Sequence, residues 1–253
     1  MATMAKTIQG RRIKNLFNPK AEEPYALSRS KLDDFFRCER CFYMDRRLGV
    51  EKPSLPGFTL NIAVDALLKK EFDIHRAKGE AHPLMKTYGI DAVPYRDERL
   101  DEWRSNFRGI RALHEPTNLL ISGAIDDIWV DREGKVMIVD YKATSTLAEV
   151  TLEGEYKEGY KRQMEIYQWL FRQNGFTVSD TGYFVYANGQ KDRAAFDARL
   201  EFDVQIIPYK GNDGWVEDAI IRAKEVLIKD TLPESSPTCE HCAYRGAARA
   251  VEK

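Results

Sequence analysis

Asp126, Asp140 and Lys142 are the residues of this chain whose types and spacing best suit chemistry. They lie in two runs rich in Ile and Val, residues 119–130 and 136–143, separated by the turn-forming Asp131, Arg132, Glu133 and Gly134, which is the pattern of a β-hairpin. If Val130 pairs with Val136, the antiparallel register sets Asp126 opposite Asp140. Directly opposed side chains have Cβ atoms about 5 Å apart, and like charges at that distance repel. A divalent cation between them turns repulsion into coordination, and hard oxygen ligands suit Mg²⁺ or Mn²⁺. By the two-residue period of a strand, Lys142 shares a face with Asp140. Hydrolysis of a phosphodiester needs a Lewis acid, an activated water and positive charge at the developing oxyanion, and these three side chains supply that set. Taken alone, a D-x-K tripeptide is common and equally describes a polar strand edge.

The second chemical signal is in the cysteines. All four occur as C-x-x-C pairs, Cys38 with Cys41 and Cys239 with Cys242, at opposite ends of the chain. Two such pairs suit a tetrahedral zinc ion or an iron-sulfur cluster. Arg37, Arg40 and Arg245 nearby favour the thiolate form. Buried free thiols and disulfides are the weaker readings, because chance rarely sorts every cysteine into such pairs and a reducing compartment disfavours disulfides. His75, His82, His114 and His241 have no ligand spacing with one another.

These residues must be positioned by a mixed set of elements. Residues 1–26 read as a loosely ordered arm, followed by one domain over 27–253. Ser28 or Ser30 caps a helix expected to run through Arg47, with Leu32, Phe35, Phe36 and Tyr43 at helical spacing. Beyond the break at Pro53, Pro56 and Gly57, helices are expected over 60–76 and 97–113. After the hairpin come a helix over 156–174, closed by Gly175, strands over 178–187 and 198–207, and a helix over 215–229. Periodicity alone gives a mixed α/β class with a sheet flanked by helices.

The motif series Gly123-Ala124-Ile125-Asp126, Ile138-Val139-Asp140-Tyr141-Lys142, and Gln163 with Tyr167 as Q-x-x-x-Y resembles that of the RecB-like PD-(D/E)XK nucleases. The resemblance spans about residues 28–245 and implies a restriction-endonuclease-like core. It assigns the metal to Asp126, Asp140 and the carbonyl of Tyr141, the catalytic lysine to Lys142, and site orientation and nucleic-acid contact to Gln163 and Tyr167. Their i, i+4 spacing puts both on one helical face. Where the family often has a helical histidine ligand, this chain has Asp65, which is either a further metal ligand or part of a charge stripe with Lys69 and Asp73. Members resembling the CRISPR-associated exonucleases hold a 4Fe-4S cluster on one early and three late cysteines after a Leu-Pro segment. Here Leu232-Pro233 precedes Cys239 and Cys242, but the count is two and two, with Ala247 and Ala248 near the last expected position, so zinc stands as the alternative.

Composition sets the outer limits. The 253 residues carry 39 Lys+Arg against 40 Asp+Glu, so no global field draws in a polyanion, and any affinity for nucleic acid must come from local patches. Those patches are Lys6, Arg11, Arg12 and Lys14; Arg37, Arg40, Arg46 and Arg47; and Lys157, Lys161 and Arg162. No apolar run is long enough for a membrane span, and the start lacks the apolar stretch of a signal peptide, which sets the expectation of a cytoplasmic protein with no membrane partner. The expected activity is Mg²⁺- or Mn²⁺-dependent cleavage of DNA, at single strands or ends, alongside proteins of repair, recombination, phage replication or CRISPR adaptation. The competing expectations are a nuclease-fold DNA-binding subunit without catalysis and a zinc-stabilised interaction module.

Overall fold

In the computed structural model of the chain the described residues are 7–8, 11–53 and 56–252. In chain order the elements are β1 (Thr7–Ile8), β2 (Arg11–Arg12), β3 (Tyr25–Ser28), α1 (Arg29–Arg37), α2 (Glu39–Arg46), α3 (Thr59–Lys78), α4 (Pro83–Thr87), β4 (Ala92–Pro94), α5 (Leu100–Trp103), β5 (Ile110–His114), β6 (Leu119–Gly123), β7 (Asp127–Asp131), β8 (Val136–Thr144), α6 (Glu155–Gln173), β9 (Thr181–Gly189), β10 (Phe202–Lys210), α7 (Val216–Ile228) and α8 (Glu240–Val251). Among the described residues no helix is long and apolar enough to cross a membrane.

The described residues group into two compact units, each assembled from separate stretches of sequence. The first takes the described residues up to Pro56, Leu113–Ser122 and those from Trp215 onward; the second takes Gly57–Ala112 and Gly123–Gly214. Within the first, β3 pairs in parallel with β6, Tyr25 against Leu119 through Ser28 against Ser122. The part of the arm from Arg11 onward is engaged here: Phe17 is buried and Arg12 forms an ion pair with the buried Asp45 at 2.8 Å. Lys6, one of the basic residues singled out in the sequence, lies outside the described residues.

The second unit is built on a five-stranded mixed sheet of order β10-β9-β8-β7-β4. The pairs β10/β9, β8/β7 and β7/β4 are antiparallel, while β8 and β9 run parallel. Strand alternation sends Val139, Tyr141, Val185 and Ala187 into a buried cluster with Leu68 and Phe72 of α3. The opposite phase faces α6: a side chain added at Gly182 would strike the sulfur of Met164, so only glycine lets the helix lie this close. Helices therefore cover both faces of the sheet, as the α/β expectation requires.

Several elements differ from the periodicity. The helix expected through Arg47 is two helices, broken at Cys38, whose backbone is extended (φ −168°, ψ 109°). The helix expected over 97–113 shrinks to α5, because Gly109 takes φ +62° and residues 110–114 then alternate buried and exposed as a strand. The run 119–130 is two strands, β6 and β7, with Ala124–Asp126 unpaired between them. The last two strands start three and four residues later than expected. The helix α8 lies in the cysteine-bearing tail, where no element was expected, and the three residues of β4 are too few to express a period.

Candidate active site and cysteine centre

The hairpin has the expected register: Val130 opposes Val136 and the ladder ends with Asp127 opposite Val139. Asp126 therefore sits one residue before the first strand pair, beside Asp140 in register. Its carboxylate accepts the Tyr141 backbone N–H (2.9 Å) at Oδ2 and the Lys69 ammonium (3.1 Å) at Oδ1. Asp140 is fully buried, and Lys142, two residues on along the same face, forms an ion pair with it. Burial pulls the Lys142 pKa down, but the charges of Asp140 and Asp126 more than offset it, so the net shift is upward and the group holds its proton.

Asp126 and Lys142 line a cleft of about 320 Å³ together with Asp65, Tyr141, Tyr160, Asn61, Phe58 and Ile62. Asp65 belongs to the site as well as to a charge pair: the Lys69 ammonium lies 2.8 Å from its carboxylate and 3.1 Å from that of Asp126, joining the two. Burial, then the charge of Asp126, push the Asp65 pKa up. The anticipated stripe stops there, because Asp73 pairs instead with Arg76 and Arg104. Asn61 ties the start of α3 to the end of β8 by donating to the carbonyl of Ala143 at 3.0 Å.

A hard cation is tested by the Lys69 ammonium itself, a positive group that already bridges two carboxylates from different elements. The oxygen donors of Asp65, Asp126, Asp140 and the Tyr141 carbonyl suit Mg²⁺ or Mn²⁺ in kind. The carboxylates do not crowd as the thiolates do: among the described residues the four cysteines are the one group of His, Cys, Asp and Glu ligand atoms gathered within 4.8 Å.

Gln163 and Tyr167 meet on α6, with Gln163 Nε2 donating to the Tyr167 hydroxyl at 3.2 Å. That hydroxyl donates to the Ala124 carbonyl at 2.5 Å. Tyr167 is only 3% exposed, and its hydroxyl grips the segment leading into Asp126. Arg104 holds the same segment from Nε to the Asp126 carbonyl at 2.9 Å, and Ile125 N–H donates to the Trp103 carbonyl at 3.1 Å.

Sequence reasoning missed the support beneath the site. Asp127 is fully buried and paired with Arg76 and Arg104, and it accepts the Tyr141 hydroxyl at 2.6 Å. The doubled Asp126-Asp127 was its signal: neighbours on a strand point to opposite faces, so two adjacent acids must have two different partners. Two of the four histidines tie local structure together: His82 bridges Leu84 N–H and Glu71, and buried His114 bridges Thr117 and Glu217.

In the first unit, Cys38 and Cys41 meet Cys239 and Cys242. The Sγ separations are 3.6 Å for Cys41–Cys239, 3.6 Å for Cys41–Cys242 and 3.9 Å for Cys38–Cys242. The extended backbone at Cys38 that splits α1 from α2 also lets its sulfur accept the Ser236 N–H at 3.5 Å. Burial alone would raise the Cys38 pKa, yet this N–H and that of Cys41 bring it down to about 7. Two of the three arginines named for that purpose are engaged elsewhere, Arg37 with Asp33 and Arg245 with the sulfur of Met44.

Comparison with known proteins adds the family. No curated protein matches the sequence. The crystal structure of SSO0001 is similar at a TM-score of 0.41 and 16% identity, over 85% of this chain and 81% of that one. The profile of the PD-(D/E)XK nuclease superfamily matches residues 59–247, a span that contains the hairpin, both carboxylates, Lys142 and the helix behind them. The match covers well over half of the chain, and the chain belongs to the PD-(D/E)XK nuclease superfamily.

Proposed function

We propose that the chain is a Mg²⁺- or Mn²⁺-dependent deoxyribonuclease acting on single strands or free ends, in the manner of the RecB-like members of its superfamily. The observation that carries the reading is the placing of Asp126, Asp140 and Lys142 at one end of β8, with Asp126 and Lys142 on a single cleft. Asp126, Asp65, Asp140 and the Tyr141 carbonyl would hold the ion, which when bound polarises the phosphoryl oxygen and lowers the pKa of a water. Lys142 keeps its proton, so it serves as a donor: it orients the attacking water and offsets the charge that builds on the phosphoryl oxygens as the bond to the sugar oxygen breaks. Asp140 fixes the ammonium in place, while Tyr167 and Arg104 fix the backbone that carries Asp126. Phe58, 72% exposed on the rim of the cleft, offers a ring on which an unpaired base stacks, which supports a single-stranded substrate.

The test is cleavage of a labelled oligonucleotide with and without added Mg²⁺ or Mn²⁺. Wild type is expected to cut only with metal, and Lys142→Ala to lose at least a hundredfold in rate while still binding; equal cutting by that variant ends the reading. One observation favours a second reading, a DNA-binding subunit without catalysis: the Lys69 ammonium already joins Asp65 and Asp126. Binding without cleavage by the wild type in either metal is its mark.

The cysteine centre is read as one tetrahedral zinc ion. With Zn–S near 2.3 Å the edge of the tetrahedron is about 3.8 Å; three of the sulfur separations are 3.6–3.9 Å and all four sulfurs lie within 4.8 Å of one another, which supports it. A four-iron cube binds each thiolate on a different iron at its outer corners and spreads the sulfurs well beyond such an edge. This departs from the iron-sulfur cluster that the resemblance implied.

A further inference from the structure

Lys157, in the first turn of α6, is held in an unusual setting. Its ammonium donates to the Tyr186 hydroxyl at 3.0 Å and stands 4.9 Å from the centre of the Tyr186 ring and 5.2 Å from that of Tyr160. The Lys142 ammonium stands 4.6 Å from the same Tyr160 ring. Two positive groups thus share one aromatic ring, and that ring lines the cleft.

The other amines here are neutralised. Lys69 is paired with Asp65 and Asp126, and Lys142 with Asp140. Of the basic patch read from the sequence, Lys161 is paired with Glu158. Lys157 has no ion pair among the described residues, and its pKa is lowered by burial and then by the charge of Lys142. Aromatic faces attract an ammonium, but they carry no net charge to match that of Lys157. Lys142 is matched by Asp140, so Lys157 is the amine at this ring whose charge has no partner in an ion pair among the described residues, and a bound anion would supply one. In a nuclease cleft that anion is a phosphodiester.

We propose that Lys157, positioned by Tyr160 and Tyr186, binds a phosphodiester group of the substrate strand adjacent to the one that Lys142 faces. The proposal rests on the nuclease reading for the identity of the anion, and it adds to that site a residue outside the D-x-K and Q-x-x-x-Y motifs.

The test is the salt dependence of binding to a labelled single-stranded DNA oligonucleotide, with Ca²⁺ in place of Mg²⁺ so that binding is read apart from cleavage. Each phosphate contact on a single strand contributes about 0.7 to the slope of log K against log salt. Lys157→Met keeps the aliphatic stem against the two rings and removes only the charge; its slope is expected to fall by about 0.7, with several-fold weaker binding at low salt. Lys157→Arg is expected to restore the wild-type slope. A slope unchanged in Lys157→Met overturns the proposal even if affinity falls, because loss of packing alone does not change the number of counterions released. Failure of the wild type to cleave in Mg²⁺ or Mn²⁺ bears on the nuclease reading alone, since the slope needs no turnover.

Discussion

A methyl group added at Gly123 would lie 2.5 Å from Cε1 of Tyr167 and 3.3 Å from Cδ1 of Leu170. The ring of Tyr167 can approach β6 because nothing projects from that position, and only then does its hydroxyl reach the Ala124 carbonyl. Gly123→Ala is therefore expected to cost about 1–3 kcal/mol of stability by overpacking and, by displacing the ring, to reduce cleavage at least tenfold. Urea unfolding and a cleavage assay on the same sample measure both; an Ala variant with full activity would show that Tyr167 does not position Asp126. At this scale much of the site was legible, since Gly123, Asp126, Asp140, Lys142, Gln163 and Tyr167 form a fixed pattern. What spacing did not reveal is that the tyrosine is sealed from solvent, or that Lys69 reaches across to Asp126, because both depend on how α3 and α6 lie against the sheet.

Strands and helices meet at Asp127, where β7 begins. Arg76 comes from α3, Arg104 follows α5 and Tyr141 lies on β8, so one buried carboxylate joins four elements. Replacing it with Asn leaves two guanidinium groups without their counter-charge, and breaking a buried pair in this way costs about 3–5 kcal/mol. Asp127→Asn is expected to lower stability by that amount in urea unfolding followed by tryptophan fluorescence, for which Trp129, two residues away and fully buried, is a reporter. A change under about 1 kcal/mol would mean the arginines find other partners. The hairpin itself was readable because its turn residues and apolar runs agree. The helix expected over 97–113 failed because Ile110, Ala112 and His114 alternate with Arg111 and Leu113, a period of two that five residues express too briefly to outweigh the apparent helix before it.

At the scale of the whole molecule the described residues group into two discontinuous units. Sequence windows report neighbours along the chain, and a boundary crossed and recrossed at residues 112 and 122 leaves no composition shift to read. The cysteine centre is the long-range tie of the first unit, with 198 residues between Cys41 and Cys239. Closing so long a loop in the unfolded chain carries a large entropic cost, so removing the ion is expected to loosen the terminal segments of this unit first. Elemental analysis is expected to give one zinc per chain in a colourless protein. Chelation is expected to raise hydrogen exchange in α1, α2 and α8 ahead of β7, β8 and β9. A brown protein containing iron would overturn the zinc assignment, and uniform exchange would overturn the local role of the centre.

That separation also has a meaning in time. At about 5–20 residues per second, synthesis of the stretch from Cys41 to Cys239 takes roughly 10–40 s. The strands and helices of the second unit are all translated by Gly214, before the later thiols exist. For that interval Cys38 and Cys41 emerge from the ribosome as a nascent dithiol, open to oxidants and to competing soft metals. The late thiols thus complete the four-cysteine set only after the second unit has been made.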